Sequence, residues 1–89
     1  MKHAFLRMPT VHLNGSSKDD LINQYLSAAQ AVFAAMESVD KAAPNARDYY
    51  PAGDHAFKEA AAEHRERAQA LRRVYDELMA ITEYLSDLA

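Results

Sequence analysis

The sequence predicts an all-α protein, an antiparallel two-helix hairpin with a short extended N-terminal arm, assembled as an oligomeric bundle. Three observations predict it. Two long stretches carry apolar residues at heptad spacing, and a proline-marked segment separates them. In addition, only 2 Gly and 3 Pro occur among 89 residues. Ala and Leu are abundant, and both are strong helix formers.

The arm comprises residues 1–15 and the hairpin residues 16–89. Thr10-Val11-His12-Leu13-Asn14 alternates polar and apolar residues, the period of a strand or extended segment. Pro9 and Gly15 punctuate its two ends. Such a segment lies across the helices or pairs with its equivalent in another subunit. Met8 offers an alternative start, which would make residues 1–7 an extension.

Ser16 and Ser17 mark the start of the first helix, expected over about 18–43. Either hydroxyl can accept from an orphan backbone N–H, and each serine has an Asp three positions on. Asp19 and Asp20 suit the positive end of the helix dipole. The seam of this helix reads Ile22, Tyr25, Ala29, Val32, Met36, Val39 and Ala43, alternating steps of three and four. Leu21, Leu26, Ala28, Phe33 and Ala35 widen it beyond what a two-helix contact requires.

Pro44 ends the first helix, since it lacks an N–H and crowds the preceding turn. Residues 44–53 then carry Arg47, Asp48, Tyr49, Tyr50 and Pro51. The second helix is expected over about 54–87, with Asp54 as its cap. Its seam is Phe57, Ala61, His64, Ala68, Leu71, Tyr75, Leu78, Thr82 and Leu85. A second stripe, Ala60, Arg67, Val74, Ile81 and Leu88, becomes fully apolar toward the C-terminus. The helices would span roughly 37 and 51 Å at 1.5 Å per residue. Paired outward from the connection, they would leave the last two turns of the second helix overhanging.

Size and composition limit the functions open to the chain. An 89-residue domain buries only about 60–65% of its unfolded surface. Cys is absent, so no disulfide compensates and thiol chemistry is excluded. Self-association is therefore expected, with Leu26, Phe33, Val74, Ile81 and Leu88 as contact positions. No membrane-spanning run or signal peptide is read, and a cytoplasmic setting is expected. The net charge of −3 argues against duplex nucleic acid as a partner. Glu63–Arg67, Arg72–Asp76 and Arg73–Glu77 are spaced as solvated i,i+4 pairs.

Neither an enzyme nor a cofactor is expected. The sequence has no phosphate-binding loop, dinucleotide fingerprint or metalloprotease motif. No metal site is expected either, because His55 and His64 stand about 13 Å apart on one helix. One cluster invites a ligand reading: Arg47, Asp48, Tyr49 and Tyr50 of the connection, with His64 and Arg67 of the second helix. Arg forks suit phosphate and Tyr can stack on a base, so a small anionic nucleotide would fit. The same residues can also be structural, with His64 half-buried on the seam and the tyrosines closing the core.

The segments Pro9–Ser17, Ala43–Pro51 and Glu63–Arg67 together resemble a family of short helical proteins encoded by tailed bacteriophages and prophages. The resemblance runs from Met8 onward. It implies a genetic setting, the cytoplasm of an infected or lysogenic bacterium. In that setting small helical proteins act on host systems, binding a host or phage protein or sequestering nucleotide immune signals. The resulting expectation is a non-enzymatic accessory protein working by protein–protein interaction. The alternative is an oligomeric sponge for (cyclic) nucleotides.

Overall fold

The computed structural model describes residues 6–89. It is all-helical: α1 spans Lys18–Lys41 and α2 spans Asp54–Ser86, with two short 3₁₀ turns, Ala46–Asp48 and Tyr50–Ala52, between them. The molecule is elongated, 61 × 24 × 18 Å. No strand occurs among the described residues. The arm instead ends in a turn at Leu13–Asn14, closed by the Gly15 N–H donating to the His12 carbonyl at 3.1 Å. Leu6, Met8 and Pro9 are half-buried, so the start of the described arm rests against other residues. The reading of residues 1–7 as an extension falls mostly on residues 1–5, outside the described range.

Ser17 is the serine that caps α1. Its hydroxyl accepts from the Asp20 N–H at 3.1 Å, satisfying one orphan donor. Asp19 and Asp20 occupy the first turn and Lys41 the last, both favourable to the helix dipole. The helix tightens at Ala42, whose N–H reaches the Val39 carbonyl at 2.9 Å, and Pro44 follows. The expected end at Ala43 is therefore two residues late.

Asp54 does not cap α2. It is the first helical residue, and Gly53 precedes it with φ +105° and ψ 164°. This backbone region is open essentially to glycine alone. A glycine is needed because the chain must swing from the second 3₁₀ turn directly into the helix.

Apart from Ala43, which is exposed and lies beyond the end of α1, the seams read from the sequence are the faces the helices bury. Ile22, Tyr25, Val32, Met36 and Val39 are half-buried and Ala29 fully so. All nine seam positions of α2 are at least half-buried, Leu85 completely. Thr82 is also buried, and its hydroxyl donates to the Leu78 carbonyl at 2.8 Å, which satisfies it.

The pairing register departs from expectation. Lys18 contacts Leu88, Phe33 contacts Tyr75 and Tyr49 contacts Phe57, so facing residue numbers add to 106, 108 and 106. The end of α2 is thus level with the start of α1 and does not overhang. The surplus length lies at the other end, where about a dozen residues of α2, roughly 18 Å, extend past Lys41. The connection runs back alongside them. Its 3₁₀ turns rise about 2 Å per residue, close enough to the helical rise to carry the pairing on to Tyr49 and Phe57.

Candidate functional site

The main recess lies along one side of the α1/α2 seam. Leu26, Ala29, Gln30 and Phe33 of α1 line it with Tyr75 and Met79 of α2, and it is an open recess of about 290 Å³. The lining follows helical geometry: offsets of 0, 3, 4 and 7 on α1 and 0 and 4 on α2 share a flank. Ala29 is fully buried and has the smallest side chain of the lining, so it forms the floor between the larger Leu26 and Phe33.

Phe33 is the residue that projects from this surface. It retains 48% of its exposure although its ring lies 5.8 Å from that of Tyr75, tilted by 49°. The Arg72 guanidinium sits 5.9 Å from the Tyr75 ring centroid and also pairs with Asp76 at 3.2 Å. Tyr75 is thus flanked by Phe33 on one side and by Arg72 on another. The polar groups of the lining are the Gln30 amide and the Tyr75 hydroxyl. Such a recess can accept an apolar side chain and offer it an amide.

A smaller recess of about 60 Å³ lies farther along the seam between Met36, Val39, Asp40, Ala68 and Leu71. It has room for water but not for a side chain. Among the described residues no three His, Asp or Glu are placed to hold a metal ion. No described helix is long and apolar enough to cross a membrane.

Of the six residues of the nucleotide reading, Arg47, Asp48, Tyr49 and Tyr50 lie in the connection and His64 and Arg67 on α2. Tyr49 is half-buried with its ring 6.5 Å from Phe57. His64 is half-buried on the seam, two turns and about 10 Å beyond Phe57. Arg47, Asp48 and Arg67 are exposed, and the Arg47 N–H donates to Asn45 Oδ1 at 3.1 Å, fixing the turn. Tyr50, 73% exposed, stands out from the connection.

The five expected contact positions fall on two flanks. Leu26 and Phe33 line the recess. Val74 and Ile81 project about 100–120° away from Tyr75 around α2, and Leu88 lies just past its end. Of these, Ile81 is already buried within the chain at 8% exposure, and Val74 is open at 36%. Gln30 and Met79, absent from the sequence reading, are lining residues. They sit four positions after Leu26 and Tyr75, a signal that becomes readable once the register is known. Of the three expected surface pairs, Arg72–Asp76 and Arg73–Glu77 form, at 3.2 and 3.4 Å, and Glu63–Arg67 does not.

Compared with protein-family models, with curated proteins and with solved structures, the chain has no match.

Proposed function

We propose that this chain is a non-enzymatic interaction protein that seats an apolar side chain of a protein partner in the recess between Ala29 and Tyr75. The observation that carries this reading is Phe33, a half-exposed aromatic at the rim of an apolar recess of about 290 Å³. Aromatic and Met side chains around a desolvated pocket are the composition of interface centres. In the phage setting that the sequence resembles, the partner is a protein present inside the infected cell.

Affinity capture from cells in which the protein is naturally expressed tests the reading. Phe33→Asp should lose the specifically bound protein, whereas Tyr50→Ala, which removes a more exposed aromatic elsewhere, should retain it. Equal capture by both variants would show that the recess is not the contact.

A second reading, sequestration of a nucleotide, draws support from Tyr50 and Arg47, both exposed and three positions apart in the connection. Calorimetric titration with cyclic dinucleotides should then give binding that Tyr50→Ala and Arg47→Ala each abolish. An absence of heat for every cyclic nucleotide would discard it.

A further inference from the structure

We infer that the partner in this recess is a second copy of the same chain, docked by a two-fold axis that passes near Ala29 and Gln30. This rests on the recess being a protein-binding surface, and it names the occupant.

The first argument is area. The chain exposes 6749 Å². A compact monomer of 10.0 kDa exposes about 5,200 Å². The excess is about 1,500 Å². A stable dimer buries about 800 Å² on each partner. One face of the hairpin closed against its copy removes the excess. The shortage is built into the fold, because two helices side by side shield only one stripe of each. Among the described apolar residues only Ala29, Ile81 and Leu85 are buried, and no disulfide supplements them. Such a need exists whenever the chain is folded, so the partner that meets it must always be at hand. A second copy is present wherever the chain is.

The second argument is self-complementarity. An isologous contact requires one patch to carry both the projecting and the receiving element. Phe33 projects, and the floor at Ala29 receives, one turn away on the same helix. Leu26 and Phe33 lie symmetrically about the midpoint between Ala29 and Gln30. A two-fold axis there sets Phe33 of each copy over Leu26 of the other, with the two Gln30 amides facing across the axis. The recess volume of about 290 Å³ is ample for a phenyl ring, since a cavity of about 150 Å³ holds benzene.

The test uses the full chain, which has no cysteine of its own. Sedimentation equilibrium of the wild type should give twice 10.0 kDa or a multiple of it, and Phe33→Asp should halve the assembled mass without loss of helical circular dichroism. Under mild oxidation Gln30→Cys should form a symmetric disulfide dimer, whereas Ala62→Cys, on the far side of α2, should stay reduced. A photocrosslinker at position 33, run in expressing cells, separates the two levels of the reading. A self-adduct supports the second copy. A monomeric wild type with an adduct to a different protein overturns the second copy and leaves the recess a protein site. A monomer with no adduct overturns both.

Discussion

The Lys18 ammonium donates to the Leu88 carbonyl at 3.2 Å, joining the first turn of α1 to the chain just past the end of α2 across 70 positions. The contact sets a positive charge against the negative end of the α2 dipole and satisfies a carbonyl that has no helical partner. Lys18→Ala should therefore cost about 1 kcal/mol in urea unfolding, since the ammonium is only half-buried. Deleting Leu88 and Ala89 removes the same acceptor. The double variant should lose about 0.5 kcal/mol or more less than the two single losses together. Strict additivity would show that the bond contributes nothing in solution.

Gly53→Ala is the second prediction. The residue holds φ +105°, and an added Cβ would stand 3.3 Å from the His55 ring. Steric tightness against an exposed ring is relieved cheaply, so the backbone term dominates. It should destabilise the chain by about 1–3 kcal/mol and lower the urea midpoint accordingly. Gly15→Ala is the useful contrast: its φ is not positive and its near neighbour is the flexible His12 ring, so a loss under about 1 kcal/mol is expected.

Burial separates two leucines that the sequence alone does not rank. Leu85 is fully buried and Leu13 is 97% exposed. Leu85→Ala should cost about 2–5 kcal/mol, a large share of the whole stability of a domain this size. Leu13→Ala should stay within about 0.5 kcal/mol. Thermal and urea melts followed by circular dichroism decide both. Similar losses at the two sites would contradict this placement of the core.

These leucines also mark how far the sequence reading reaches. Helix existence, faces and approximate ends follow from local pattern: heptad steps, a serine cap and Pro44. Leu85 is readable as seam because it continues the spacing from Leu71 and Leu78. Register is different. A heptad seam looks nearly the same after a shift of one repeat, so nothing local says whether Phe33 meets Tyr75 or a residue one heptad away. The pairing depends on the connection, whose two 3₁₀ turns carry Tyr49 back to Phe57. The recess inherits that dependence. Leu26 and Phe33 are legible as surplus apolar positions, but Gln30 and Met79 become neighbours only when the register is set. Thr10–Asn14 is open in sequence to either a strand or an extended segment, and with no partner strand among the described residues it forms no strand and ends in a turn.

Phe33 gives the last prediction, through the concentration dependence of stability. If two copies close over it, folding and association are linked, and the melting temperature must rise with protein concentration. A hundredfold increase is worth about 2.7 kcal/mol per dimer, or half that per chain. At about 4–8 °C per kcal/mol for a chain of this length, the midpoint should climb by roughly 5–10 °C. Phe33→Leu keeps an apolar side chain of similar reach and should preserve the climb. Phe33→Asp places a charge in the contact and should flatten it. Because Phe33 is half-exposed in the single chain, its intrinsic loss at the lowest concentration should be small next to that of Leu85→Ala. A melting temperature of the wild type that is independent of concentration would mean that the chain is stable alone, with its recess open.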